Sequence, residues 1–166
     1  MEMAEKSNVE IIPVKNTLAE KVTTCAPKNV DFSAVDEVLG NLTADFCLRL
    51  PQEILAIENA LTALEISPDN KAFLSVLFRH VHDLKGQAGT FDFNLITVIG
   101  NDLCRFLEQP YAMTPRRLKV ARYHVEAMKL VADRGLTGDG DEQGRRMIDT
   151  LHTMTHKVLN EENPRM

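Results

Sequence analysis

The residues best suited to chemistry in this sequence are a histidine, a lysine three places on and the glycine after it: His82-Asp83-Leu84-Lys85-Gly86. A neutral imidazole nitrogen is a competent nucleophile near neutral pH, because free histidine titrates at about 6.5. Helical spacing brings the Lys85 ammonium within reach of the ring. An ammonium beside an imidazole is a poor place to keep a cation. It suits a ring that takes up an anionic group, as a phosphorylated imidazole does. Arg79, one turn earlier, could pair with the same anion or dock an acidic partner surface. Gly86 and Gly89 follow on the same face, although each glycine costs a helix roughly 1 kcal/mol relative to alanine. Their gain is room for another molecule's backbone beside the imidazole, with Gln87 between them. The expected chemistry is in-line attack of His82 on an acyl phosphate, which depends mostly on positioning and charge neutralisation.

No glycine-rich phosphate loop follows a strand, and Asp83 is the nearest carboxylate in sequence. The chain is therefore expected to carry a phosphoryl group rather than act as an enzyme with its own ATP-dependent activity. It needs no cofactor of its own. The donor, and with it any magnesium, would arrive on a partner.

The elements that must hold His82 are helices. Apolar residues at Leu42, Phe46, Leu50, Ile54, Ile57, Leu61 and Leu64 advance by three or four, one stripe on a helix. A short helix with Val35, Val38 and Leu39, capped by Asp31 or Ser33, precedes it, and Gly40-Asn41 and Pro51 are expected to interrupt or kink the run. Ser67-Pro68-Asp69 closes it, with Asp69 as the cap of the next helix. That helix buries Phe73, Leu77, Val81, Leu84, Ala88 and Phe91. On its outer edge lie Ser75, Arg79, His82, Gly86 and Gly89. A third helix is expected over 93–109, with Leu95, Val98 or Ile99, Leu103, Phe106 and Leu107 inward. A fourth starts at Thr114-Pro115 and stops near Arg134 before Gly135. A last one spans about 142–160, with Met147, Leu151, Met154 and Val158 inward. The fold expected is all-α, an antiparallel up-down four-helix bundle with extra flanking helices. Residues 1–30 read as a flexible arm and 31–166 as the helical domain, its core about 40–135.

Composition narrows the partners. The formal charge of −5 argues against nucleic acid, and Arg116-Arg117-Leu118-Lys119 with Arg122 reads as a solvated helix side. Three cysteines, Cys25, Cys47 and Cys104, at long spacings fit neither a disulfide framework nor a zinc site. With no apolar leader in Met1-Glu2-Met3-Ala4-Glu5-Lys6 and no bilayer-length apolar run, a soluble cytoplasmic protein, read as a monomer with no membrane partner, is expected. Gly138-Asp139-Gly140-Asp141 lacks the calcium-loop pattern. His152 and His156, four apart, read as a solvated face rather than a metal pair. His80 reads as partly buried and His124 as a surface residue.

The run Val81-His82-Asp83-Leu84-Lys85-Gly86-Gln87-Ala88-Gly89-Thr90-Phe91 resembles the histidine-containing phosphotransfer domains of multistep phosphorelays, whose pattern is His-x-x-Lys-Gly, small residues and a second glycine. The resemblance implies that His82 is the phosphoacceptor, Lys85 stabilises the phosphoryl group and Gly86 gives clearance. Gly100 also falls where many members have glycine. The likeness covers about 40–135 and implies as partners a response-regulator receiver domain and an upstream histidine kinase or hybrid kinase. This chain departs from the pattern at Gln87, where many members have serine, and at Asp92, where many have glycine. Cys104 stands where many have a ring-orienting glutamine. That leaves the His82 ring to a backbone carbonyl, a water or Gln87.

Two other classes compete. A helical interaction module that binds signalling proteins without phosphoryl transfer would keep the helices but need neither Lys85 nor Gly86. The dimerisation domain of a histidine kinase needs a glutamate after its histidine, an Arg-Thr-Pro turn and a nucleotide-binding domain, none of which is present.

Overall fold

Apolar spacing of three and four gives each long segment one face to bury, and the segments solve this by packing on each other. The computed structural model describes residues 33–162. Its helices are α1 (Ser33–Ile66), α2 (Lys71–Ala88), α3 (Asn94–Leu107), α4 (Pro115–Asp133) and α5 (Glu142–Glu162). A 3-10 turn, Gly89–Phe91, joins α2 to the approach of α3, and there is no strand among the described residues. α1 packs against α2 and α4, and α3 packs against the same two. α5 lies on α3 and α4. The shared core draws Phe46, Ile57 and Leu61 from α1, Leu77, Val81 and Leu84 from α2, and Ile99 and Leu103 from α3. α4 adds Val125 and Met128, and α5 adds Leu151. No helix among the described residues is long and apolar enough to cross a membrane. The arm expected over residues 1–30 and the capping role of Asp31 lie outside the described residues.

The helix ends follow local chemistry. Asn70, not Asp69, caps α2: its Oδ1 accepts from the amides of Ala72 at 3.0 Å and Phe73 at 3.4 Å. The reason is the preceding turn, which the Asn70 amide closes onto the Ser67 carbonyl at 3.0 Å, leaving Asp69 inside it. Thr114 caps α4 and Pro115 is its first helical residue, while Gly135 takes the left-handed stop at φ 56°. Asp141 of the Gly-Asp-Gly-Asp loop caps α5 through the amides of Gln143 and Gly144.

Four further expectations need correction. α1 is continuous through Gly40-Asn41 and Pro51. Leu50 and Ile54 are buried on either side of Pro51, which is itself exposed, so packing overrides the lost hydrogen bond. Val35, Val38, Leu39 and Leu42 were expected inward but stand about half exposed. At 1.5 Å per residue α1 is about 51 Å long and α2 about 27 Å, so α1 outruns its neighbours. Arg117 was expected on a solvated side and is fully buried. Its Nη2 donates to the Phe106 carbonyl at 2.7 Å and its guanidinium lies 4.4 Å from the Phe106 ring centroid, so it caps the C-terminal end of α3 as a cation.

His124 is the fourth: expected at the surface, it is 0% exposed. Its Nδ1 lies 2.8 Å from the Val120 carbonyl and its Nε2 3.0 Å from Asp102 Oδ2. Each ring nitrogen thus faces an oxygen acceptor. Asp102 also faces His152 Nε2 at 3.7 Å and accepts a long 3.5 Å hydrogen bond from Thr155, both on α5. Burial works to raise the Asp102 carboxyl. The hydrogen bond and charge of His124, with the charge of His152 and the Thr155 hydroxyl, outweigh it and hold the carboxyl below its usual value of 3.8. A depressed carboxyl stabilises the fold above its unfolded value, and that contribution is lost as pH falls through the folded value. Asp102→Ala is expected to lose about 3 kcal/mol at pH 7, because it leaves a buried histidine without its counter-charge. Urea unfolding at pH 7 and pH 3 checks this: the gap between native and variant should narrow at the lower pH.

Candidate functional site

His82 lies on the outer edge of α2, clear of the buried Val81 and Leu84, because the core stripe falls on the neighbouring positions. Its side chain is 57% exposed. One turn back, the half-buried Phe78 ring stacks on the imidazole with centroids 5.8 Å apart and planes at 26°. Among the described residues no hydrogen bond reaches the ring, and Nδ1 stands 3.9 Å from Asp83 Oδ1. The Phe78 ring and the Asp83 carboxylate are thus the groups that the structure places beside the imidazole.

Two grooves meet at His82. One is lined by Ser75, Phe78, Arg79, Lys85, Asn101, Cys104, Arg105 and Glu108. The other is lined by Lys85, Gly86, Gly89, Thr90, Thr97 and Asn101. Three cationic side chains, Arg79, Lys85 and Arg105, thus share a groove with the imidazole, against one carboxylate, Glu108. Such a groove suits an anionic group.

The two glycines of the motif differ. A Cβ on Gly86 would meet nothing within 4 Å, so this position faces open space beside His82. A Cβ on Gly89 would lie 3.2 Å from Thr97 Oγ1, so its smallness serves the approach of α3. Gly89 also falls just past α2, in the 3-10 turn. Gln87 is half-buried and lines neither groove.

Lys85 is held from α3. Thr97 Oγ1 donates to the Lys85 carbonyl at 3.1 Å. The Gly89 amide turns instead to the Gln87 carbonyl, so the threonine satisfies a carbonyl at the helix end. A Cβ on Gly100 would lie 2.8 Å from the Lys85 Cβ, so only glycine lets α3 press this closely. Lys85 Nζ donates to Asn101 Oδ1 at 2.8 Å. The ammonium expected to reach the imidazole thus rests on an amide.

Cys104 lies in α3 on the groove wall, buried. Burial pushes its thiol up to about 11, against the pull of the Lys85 charge, with Glu108 adding to the rise. It stays a neutral thiol near neutral pH and a weak hydrogen-bond group. The turn after α2 ends with the Phe93 amide donating to the Ala88 carbonyl at 2.9 Å and Asp92 at φ 63°. This left-handed stop is where glycine is most at ease, and aspartate is among the few side chains that accept it.

Sequence reading missed Thr97, Asn101, Arg105 and Glu108. Their signal was present as a polar stripe on α3, with Cys104, at steps of three and four between the core positions. Without knowing which helix packs beside α2, nothing tied that stripe to His82.

Comparisons with protein-family models, with curated proteins and with solved structures give no match to this chain.

The glycines invite a direct test. Gly86→Ala is expected to stabilise the fold by about 0.5–1 kcal/mol, because the methyl meets open space and helix propensity improves. Gly100→Ala is expected to destabilise it by about 1–3 kcal/mol through overpacking against Lys85. Paired thermal melts should show shifts of opposite sign.

Proposed function

We propose that this chain is a histidine phosphotransfer protein of a multistep phosphorelay, a cytoplasmic carrier that moves a phosphoryl group on His82 to or from the aspartate of a response-regulator receiver domain. α1 to α4 form the antiparallel up-down four-helix bundle of such a carrier, and α5 is the flanking helix. The observation that carries the reading is the exposed imidazole between a held ammonium, Lys85, and a glycine, Gly86, that leaves its flank open.

The step balances as follows. The Asp83 carboxylate near Nδ1 favours the proton on that nitrogen and leaves the Nε2 lone pair as nucleophile. Nε2 bonds to the phosphorus of the partner's aspartyl phosphate. The bond from phosphorus to the aspartyl oxygen breaks, and its electron pair leaves as carboxylate. The ring keeps the Nδ1 proton and becomes cationic beside Asp83. Lys85 and the flanking Arg79 and Arg105 lie on the groove that receives the phosphoryl oxygens, where cations stabilise the dispersed negative charge. Return of the group to another receiver runs the same path backwards. Magnesium, where the reaction uses it, is carried by the receiver domain. An upstream histidine kinase or hybrid kinase supplies the phosphoryl group to the relay.

A second reading, a helical interaction module without phosphoryl transfer, draws on the exposed Val35, Val38, Leu39 and Leu42 of α1. The two part on a labelling experiment. Incubated with a phosphorylated receiver domain, the purified chain should take up label that is acid-labile and alkali-stable, and His82→Gln should take up none. Label that persists in His82→Gln would move the site elsewhere. No label from any receiver domain of the source organism would favour the interaction module. Gly86→Gln should fold as the native chain does, by circular dichroism and melting, yet lose transfer from the receiver domain.

A further inference from the structure

Lys85 is held by the neighbouring helix at its backbone, at its Cβ and at its ammonium. Thr97 holds its carbonyl, Gly100 meets its Cβ, and Asn101 takes its ammonium. The three positions step by three and one along α3, so they face α2 together. Lys85 and Asn101 also line both grooves that meet at His82. The acceptor is an uncharged amide oxygen, although the very next residue, Asp102, is a carboxylate directed to His124 on the other side of α3.

We infer that Asn101 is a positioning residue for phosphoryl transfer: it parks the Lys85 ammonium at the rim of the His82 grooves and yields it to the incoming phosphoryl group. The inference rests on the phosphocarrier reading. A long lysine left loose must be ordered as the transition state forms, because its stem has many rotamers. The α3 clamp orders the stem beforehand, as preorganised charge requires. The last partner must then let go. An amide dipole holds an ammonium through one hydrogen bond, and phosphoryl oxygens carrying a charge of about −1.5 to −2 displace it readily. A carboxylate at the same place would form an ion pair and compete with the phosphoryl group for the same cation. Asparagine thus supplies a site that is firm before transfer and weak against the product.

The test uses Asn101→Asp, Asn101→Ala and Lys85→Ala, with Asn101→Asp also made in the Lys85→Ala background. Two donors are used: phosphoramidate, a small phosphoryl donor that needs no partner docking, and a phosphorylated receiver domain. Asn101→Asp is expected to slow uptake on His82 by about tenfold with both donors, a change that the rate law equates to about 1.4 kcal/mol of transition-state stabilisation. Affinity for the receiver domain should stay unchanged. In the Lys85→Ala background the same substitution should alter the rate by less than about twofold, because residues that act as a unit are not additive. An additive loss overturns the role, since Asn101 would then act without Lys85.

A readout independent of transfer is the Lys85 15Nζ resonance. It should be observable in the native chain, where the amide slows proton exchange, and lost in Asn101→Ala while the amide spectrum keeps its dispersion. Persistence of that resonance in Asn101→Ala overturns the clamp. A native chain that takes label, with Asn101→Asp at the same rate, overturns this role alone. A native chain that takes no label from either donor overturns the phosphocarrier reading and this role with it.

Discussion

The approach of α3 to α2 at Gly100 governs the rest of the site. One missing methyl lets the Lys85 Cβ sit where an alanine Cβ would collide at 2.8 Å. From that contact follow the Thr97 hydrogen bond to the α2 backbone and the reach of Asn101 to the ammonium. A second side of α3 is held with equal care. Asp102 binds His124 of α4, and Arg117 of α4 holds the last turn of α3 through the Phe106 carbonyl. α3 is thus fixed against two neighbours by buried and part-buried polar contacts, beyond apolar packing that could tolerate sliding. The aromatic contacts of Phe46 with Phe91 and Phe93, at 4.5 and 5.7 Å, tie the connection between α2 and α3 down onto α1.

Much of this was legible in the sequence, because it depends on period. Helix type, the inward residues of α2 and α3, the Thr114-Pro115 start and the Gly135 stop are local consequences of side-chain spacing and backbone preference. The outward placement of His82, Arg79 and Gly86 was legible for the same reason. What sequence could not give was set by partners. His124 and Arg117 look like surface residues until a carboxylate and a carbonyl on α3 are placed beside them. Val35 to Leu42 look like core, since their spacing continues the stripe. Only the lengths of the neighbouring helices show that the core ends before they do. Pro51 looks like a break, and only burial at Leu50 and Ile54 shows why the helix runs on.

The site itself was half legible. The motif residues His82, Lys85 and Gly86 stand together as their spacing implies. The α3 side was not legible: Cys104 is a buried neutral thiol on the groove wall, while Asn101, one turn earlier, makes the contact with Lys85. The second glycine has a further reason that its spacing does not show, since Gly89 also makes way for Thr97. Asp92 fits a different lesson. Its left-handed backbone is dictated by the stop of α2, and the residue type reports only that aspartate tolerates a shape the turn imposes.

The adjacency of Asn101 and Asp102 has a mechanical meaning. Successive residues of a helix project about 100° apart, so these two brace α3 from different sides, one on α2 and one on α4 with α5 alongside. A helix so braced resists twisting about its own axis. Any torque that α5 feels on its seat near Asp102 reaches α3 at a point one residue from the amide that holds Lys85. The far helix and the ammonium beside His82 are joined by a single rigid turn, as two spokes are joined by a hub.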